Sequence, residues 1–209
     1  MINLADFGAA LDGAASDSDA FDRALSAALA SRKSCTLTWV GDLTLTRPTP
    51  NLDRVHLEGG DIYGARVKKK FPGGVLFRFE GRAGYSGGGL HNFSVVDEPE
   101  TAGSYIILAR AKADGYAPDG LQLEHLYLGS GRSDVSAFRA IEIDGTRRFP
   151  LGARQVRIHD VTCFGSSAPG TVYLAGTRDL YAQALRVYPA GGSYGDIVQG
   201  PDNQGLVLG

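Results

Sequence analysis

Three hexapeptides decide the fold: Leu90-His91-Asn92-Phe93-Ser94-Val95, Leu123-Glu124-His125-Leu126-Tyr127-Leu128 and Ile158-His159-Asp160-Val161-Thr162-Cys163. In each of them apolar residues occupy the first, fourth and sixth positions, and a polar pair stands between the first two apolar residues. The pattern predicts a short strand, a bend and a second short strand in every copy. Two further copies are expected at Leu57, Gly60 and Ile62 and, more weakly, at Leu180, Gln183 and Leu185.

Another short strand with alternating apolar residues is expected ahead of each later copy. Its apolar positions are Phe77 and Phe79, Ile106 and Leu108, Ile141 and Ile143, Val172 and Leu174, and finally Ile197. Such units, repeated every 20 to 35 residues or so, are typical of the coils of a solenoid. A propeller would need four strands per repeat, and a sandwich would pair its strands through hairpins, whose common Asn-Gly turn does not occur in this sequence.

One segment near residues 17 to 31 has the spacing of an amphipathic helix. Its apolar residues recur at three- and four-residue intervals: Ala20, Phe21, Ala24, Leu25, Ala28 and Leu29. Ser16 or Asp17 is expected to cap the first turn by accepting backbone N–H groups. The sequence therefore predicts an all-β protein with one short helix ahead of its strands.

Composition narrows the function classes. The chain has 209 residues, 43% of them hydrophobic, and a formal net charge of −2, which suits one ordinary globular domain. Nucleic acid is not an expected partner, because phosphate binding needs a concentrated basic surface, and the run Lys68 to Lys70 is predicted to be a solvated turn. No signal peptide and no membrane span are expected, so folding in a cytoplasm is predicted. Cys35 and Cys163 are predicted to be free thiols.

The polar pairs of the hexapeptides are predicted to lie at one corner of successive coils. His91-Asn92, Glu124-His125 and His159-Asp160 each follow the first apolar residue of a copy, where their side chains could bond neighbouring backbone. A metal site is the alternative, but Glu124 interrupts the run of histidines. Neither a metal nor another cofactor is expected.

The amino-terminal segment carries a family resemblance. Leu4-Ala5-Asp6-Phe7-Gly8-Ala9, then Asp12-Gly13, then Asp17-Ser18-Asp19-Ala20-Phe21, resembles the opening of the pectate-lyase-like right-handed β-helix family found in phage tailspikes and related virion spikes. The resemblance implies a right-handed parallel β-helix, with residues 1–35 as a capping segment and 36–209 as the coils. A helix across the first coil would cover its open strand edges, so Asp6, Asp12 and Asp17 are expected to be structural.

The resemblance also implies a location and partners. Tailspikes are homotrimers on the virion surface, so a homotrimer assembled in the host cytoplasm with other virion proteins is expected. The terminal strand Leu206-Val207-Leu208 has no cap after it, so either the sequence is a piece of a longer protein or partner chains cover the exposed strands.

Two outward carboxylates form the predicted catalytic pair. If Ile141 and Ile143 face the core, Glu142 and Asp144 face outward about 6.5 Å apart on one strand, with Tyr173 one coil away. Two glycosidase carboxylates need about 5 to 9.5 Å between them. By the same alternation Ile107 and Ala109 are the expected outward residues of the neighbouring strand.

Loop aromatics beside polar groups give the other predicted glycan contacts. Tyr116 with Asp119, and Tyr188, are expected to bind sugar together with Tyr173, because an aromatic face suits the C–H face of a sugar ring. Tyr85 and Tyr194 are further candidates.

Three functions follow as hypotheses. The first is a virion spike, of tail or head type, that binds a host cell-surface polysaccharide. The second is a glycan-depolymerising enzyme, a hydrolase or lyase, on the same β-helix. The third is a purely structural adaptor within such a spike.

Overall fold

The computed structural model describes residues 1–31, 34–52, 54–81, 87–98, 104–111, 117–129, 138–146, 152–164, 171–188 and 197–209. The first half comprises β1 (Ile2–Asn3), a 3-10 helix (Leu4–Phe7), α1 (Ser18–Ala30), β2 (Cys35–Trp39), β3 (Gly41–Leu45), β4 (Val55–Gly59), β5 (Ala65–Lys69), β6 (Gly74–Glu80), β7 (Gly89–Asp97) and β8 (Ser104–Arg110). The second half comprises β9 (Gln122–Gly129), β10 (Phe138–Asp144), β11 (Ala153–Arg154), β12 (Arg157–Phe164), β13 (Val172–Ala175), β14 (Thr177–Arg178), β15 (Tyr181–Tyr188), β16 (Ile197–Gln199) and β17 (Val207–Leu208).

The strands form a right-handed parallel β-helix. Sheet A follows the order β1-β2-β4-β7-β9-β12-β15-β17, and β3 joins it through β5, which pairs with β7. Sheet B follows the order β16-β13-β10-β8-β6, and β11 and β14 make a small third sheet. Every named strand pair is parallel, because each strand lies on the equivalent strand of the previous coil. The predicted fold class is confirmed.

The three hexapeptides stack in register as predicted. Leu90 pairs with Leu123 and Leu123 with Ile158, and the fourth and sixth positions follow the same register. The apolar positions are buried in one continuous core. Their side chains therefore form apolar columns that run along the axis of the solenoid.

The outer copies of the repeat were predicted at the wrong residues. Leu57 is in register, but Val67 rather than Ile62 pairs with Val95, because residues 60–64 are inserted at the corner between β4 and β5. In the last copy Ala182, and not Leu180, pairs with Ile158. Gly60 and Ile62 reproduced the spacing by coincidence, since the length of a corner varies from coil to coil.

The alternation predicted for β8 was also wrong. Ile107 and Ala109 pair with the core residues Ile141 and Ile143, so Leu108 and Arg110 are the outward residues of this strand. The run Tyr105 to Ala109 is apolar at nearly every position, and such a run gives no phase to the alternation. The error concealed Arg110, which lies beside the predicted catalytic pair.

Helix α1 covers the first coil. Its buried face, which includes Phe21, Ala24 and Leu25, packs into the same core as Leu37 and Trp39. The Ser16 hydroxyl accepts the backbone N–H of Ser18, the first helical residue, at 3.4 Å, as predicted for one of the two capping candidates. Asp17 stands at the N-cap position, yet its side chain makes no capping hydrogen bond to the helix. Its carboxylate instead accepts backbone N–H groups from Ala10, at 2.6 Å, and Thr44, at 2.9 Å.

Asp17 therefore joins the amino-terminal segment, the helix and β3, which gives it the structural position expected. Asp12 accepts the backbone N–H groups of Ala14 and Ala15, and these hydrogen bonds hold the pKa of Asp12 below its ordinary value. Both carboxylates thus organise the backbone of the segment that closes the first coil.

The lysine run is not a solvated turn. Lys68 and Lys69 end β5, and the Lys69 side chain is fully buried against Asp97, 3.0 Å away, while its Nζ also donates to the Phe71 carbonyl at 2.6 Å. Ser104 donates to the other oxygen of Asp97. Burial lowers the pKa of Lys69, and Asp97 opposes that effect. A buried ion pair therefore joins two neighbouring coils.

Candidate functional site

One corner of the solenoid is a single left-handed residue in four successive coils. Asn92, His125, Asp160 and Ala184 have φ of 59°, 50°, 49° and 54°. Asn, Asp and His are the side chains most often found in that region, so three of the four positions carry residues suited to it. The bend therefore turns the chain within β7, β9, β12 and β15 without a loop.

The residue before each bend is not at the corner, which corrects the prediction for the polar pairs. His91, Glu124, His159 and Gln183 lie in the strands and project from the outer face of sheet A, in register with one another. Glu58 precedes them on β4. Adjacent parallel strands are about 4.8 Å apart, so acids and imidazoles alternate along the axis in one column.

A second column lies two residues earlier on the same face. His56, Gly89, Gln122, Arg157 and Tyr181 follow one another in register from β4 to β15. Together the two columns give the outer face of sheet A a polar surface that runs for several coils. We call this surface the sheet A face.

On β4, β7 and β9 the sheet A face carries a row of three hydrogen-bonded side chains. His56 Nδ1 lies 2.9 Å from His91 Nε2, and His91 Nδ1 lies 3.3 Å from Glu124 Oε2. A Cβ at Gly89 would lie 2.5 Å from His91 Nε2, so this glycine leaves room for the two rings. Burial lowers the pKa of His56, and His91 lowers it further.

On β9, β12 and β15 the sheet A face opens into a cleft of about 870 Å³. Its lining is rich in amide, aromatic and charged side chains: Gln122, Glu124, Gln155, Arg157, His159, Asp179 and Tyr181, with Gly120, Val156 and Ile158. Tyr181 is 48% exposed, and its hydroxyl donates to Gln183 at 3.3 Å. Amides, a guanidinium and an exposed ring suit sugar hydroxyls and the C–H face of a sugar.

An aromatic ladder stands beyond the bend on the same sheet. The rings of Tyr127 and Phe164 are 4.6 Å apart, and those of Phe164 and Tyr188 are stacked 4.9 Å apart at 13°. Tyr188 is half exposed, so its outer ring face is available, whereas Phe164 is covered on both faces. Tyr188 thus has an exposed ring in the ladder, and its contact with glycan remains a prediction.

The predicted catalytic pair lies on sheet B. Glu142 is buried, and its carboxylate is held by Arg139 and by Arg110, the latter at 3.2 Å. Asp144 accepts from the backbone N–H and the hydroxyl of Thr146, at 3.0 and 2.6 Å. Tyr173 pairs with Glu142 in register, and the Arg139 guanidinium lies 4.9 Å from the centre of its ring.

The structure thus brings Glu142 and Tyr173 together and engages each of them with arginine. A sugar that binds the Glu142 carboxylate must compete with its two arginine ion pairs. The catalytic role of Glu142 and Asp144 remains a prediction.

The other predicted glycan contacts are dispersed. Asp119 forms an ion pair with Arg154 near the cleft, while Tyr188 is in the ladder beyond the bend. Tyr116, Tyr85 and Tyr194 lie outside the described residues.

The cleft residues Gln122, Arg157, His159 and Tyr181 were missed as site residues. The sequence contained the information needed to find them, because in β9, β12 and β15 every second residue before the bend faces outward. Among the described residues, no group of three His, Cys, Asp or Glu side chains has the geometry of a metal site. Within the same residues, no helix is long and apolar enough to span a membrane.

Comparisons with known proteins find similar structures only. No protein-family model matches the chain, and no curated protein matches it significantly. The A-module of the mannuronan C-5 epimerase AlgE4 from Azotobacter vinelandii superimposes with a TM-score of 0.57 at 12% identity, covering 88% of this chain and 58% of that module.

Two further structures are similar. The surface adhesin PfbA of Streptococcus pneumoniae gives a TM-score of 0.57 at 14% identity over 80% of this chain and 42% of the adhesin. Tailspike protein 3 of bacteriophage CBA120 gives 0.52 at 14% identity over 92% of this chain and 34% of the tailspike. These identities show a shared fold, and the chain spans about a third to three fifths of each of these proteins.

Proposed function

We propose that the chain is the β-helix part of a virion spike, of tail or head type, that binds a host cell-surface polysaccharide. The sheet A face carries the proposal, because it combines a cleft of about 870 Å³ with amide, charged and aromatic side chains along the axis of a rod-like fold. A polysaccharide is itself an extended repeating chain, so a long repeating surface allows several sugar residues to bind at once. The fold shared with a tailspike and an adhesin supports the proposal.

Location and partners belong to the same proposal. The chain would assemble in the host cytoplasm, with residues 1–35 closing the coils formed by 36–209, and stand on the virion surface beside other virion proteins. We expect a homotrimer, as the resemblance of the amino-terminal segment to tailspikes implies.

The mass of the particle in solution tests the homotrimer. Light scattering at micromolar concentration is expected to give about three times the chain mass of 22.1 kDa. A monodisperse monomer that does not aggregate on standing would contradict this part of the proposal.

A glycan-depolymerising enzyme is the second candidate, and one observation favours it. The cleft places a partly exposed carboxylate, Glu124, one coil from the imidazole of His159. Carboxylates and imidazoles are the groups that most often transfer protons in enzymes. The predicted pair Glu142 and Asp144 on sheet B remains a second candidate site for such chemistry.

A binding screen that also detects cleavage distinguishes the candidates. The purified chain is incubated with a panel of bacterial capsular and O-chain polysaccharides, and both binding and the release of reducing or unsaturated ends are recorded. A spike that only binds retains a polysaccharide unchanged, whereas an enzyme releases new ends. A structural adaptor does neither, and that outcome across the panel would refute the proposal.

A further inference from the structure

Two histidine rings on neighbouring coils share a single hydrogen bond. The nitrogens that face each other, Nδ1 of His56 and Nε2 of His91, are 2.9 Å apart, and the rings are stacked with their centres 5.2 Å apart. One nitrogen must donate and the other accept, so the contact has room for one proton. The protonation of the two rings is therefore coupled.

The contact with Glu124 decides which atom donates in each of the hydrogen bonds between His56, His91 and Glu124. A carboxylate only accepts, so His91 Nδ1–H donates to Glu124, and the Nε2 of a neutral His91 must then accept from His56 Nδ1–H. Each tautomer follows from its neighbour in this way. The row of hydrogen bonds begins at His56 and ends on the Glu124 carboxylate, which lines the cleft.

The surroundings keep these hydrogen-bonded side chains partly shielded from water. The His91 side chain is 10% exposed, and that of Glu124 is 35% exposed toward the cleft. Charged and titratable groups around them include Glu58, beside His91 on β4, and His159, beside Glu124 on β12. Arg157, Asp179 and Tyr181 line the same cleft as Glu124. A proton added here thus changes the charge next to the cleft.

We propose that His56 and His91 are positioning residues that form a proton relay to Glu124, so that glycan binding at the cleft depends on pH. This inference rests on the proposed function. One added proton makes His91 an imidazolium that donates to both neighbours. A second would place two positive charges on nitrogens 2.9 Å apart, so the two rings take up one proton where two separate histidines would take up two.

The added proton changes what Glu124 offers to a sugar. Beside an imidazolium the carboxylate is held in an ion pair, and its oxygens become weaker acceptors for sugar hydroxyls. The affinity for glycan is therefore expected to fall as the pH falls through the range in which the pair of rings takes up its proton. Loss of one charge-assisted hydrogen bond corresponds to a Kd raised about tenfold.

Imidazole NMR tests the relay without any glycan. Since Glu124 raises the pKa of His56 and His91 lowers it, the Glu124→Gln variant is expected to lower the pKa of His56 further, and His91→Gln to raise it. Asp160→Asn is the matched control, because Asp160 also lies 3.3 Å from an imidazole, that of His125, but on the exposed corner. This variant is expected to leave His56 unchanged.

The same titration can overturn the relay. If His56 titrates identically in the parent, in Glu124→Gln and in His91→Gln, or if both rings are protonated at pH values of about 5.5, the relay does not exist.

Glycan binding as a function of pH tests the consequence. With the polysaccharide selected by the panel, the parent is expected to lose about tenfold in affinity between roughly pH 7.5 and 5.5, and His91→Gln to lose that dependence. Equal pH profiles in the two proteins would refute the inference while leaving the proposed function intact. If no polysaccharide binds, the proposed function fails together with its pH dependence, and the NMR titration alone judges the relay.

Discussion

Replacing Lys69 with methionine is expected to lower the free energy of unfolding by about 3 to 5 kcal/mol. The variant leaves the Asp97 carboxylate fully buried without its cation, while Ser104 still donates to it. A buried charge that loses its partner must either keep an uncompensated desolvation cost or take up a proton. Urea denaturation followed by circular dichroism measures the loss.

The neighbouring lysine provides the control. Lys68 forms an ion pair of 2.8 Å with Asp42, but its side chain is 21% exposed and that of Asp42 is 31% exposed. Because water screens such a pair, Lys68→Met is expected to cost about 1 kcal/mol or less. Equal losses for the two variants would show that Lys69 is not desolvated as described.

Removing the aromatic centre of the core gives the second large effect. Phe93 is fully buried, with its ring 5.0 Å from that of Trp39 and 5.9 Å from that of Phe77. Phe93→Ala is expected to destabilise the protein by about 3 to 5 kcal/mol, since the stacked coils around the cavity can collapse only partly. The same denaturation measurement applies.

Phe164→Ala is the matched control for this variant. Phe164 lies in the outer ladder between Tyr127 and Tyr188 and is only partly buried. Its loss removes stacking contacts worth about 0.5 to 1.5 kcal/mol per pair without opening a cavity in the core. A cost for Phe164→Ala as large as that of Phe93→Ala would contradict the assignment of the core.

The repeat was predictable where its corner is one residue long. In β7, β9 and β12 the apolar columns and the polar pair follow directly from the spacing, because a single left-handed residue turns each strand. At residues 60–64 the corner contains an insertion, and Gly60 and Ile62 took the places that belong to Ala65 and Val67. Apolar spacing carries no information about how many residues a corner holds.

The candidate site was harder to predict, for two physical reasons. A uniformly apolar strand does not show which of its residues face the core. The outward position of Arg110 in β8 and its contact with Glu142 could therefore not be predicted. The polar pairs were assigned whole to the corner, although only the second residue of each pair has the left-handed conformation. Without that distinction, His91 and Glu124 could not be placed on the sheet A face.

The burial of Lys69 was also invisible in the sequence. A run of three lysines is usually solvated. The sequence near residues 68 to 70 does not indicate that Asp97, 28 residues after Lys69, is the partner of Lys69. Contacts between coils depend on the register, which is fixed only once the corners are known.

Binding by two tyrosine variants tests the central claim most directly. Tyr181 lines the cleft of the sheet A face, whereas Tyr173 lies on sheet B beside Glu142. With the polysaccharide that the parent binds, Tyr181→Ala is expected to weaken binding by about 1 to 3 kcal/mol, the scale of a lost stacking surface and its unpaired polar neighbours, while Tyr173→Ala binds like the parent. Unchanged binding by Tyr181→Ala together with a loss in Tyr173→Ala would contradict the account and assign the glycan to sheet B.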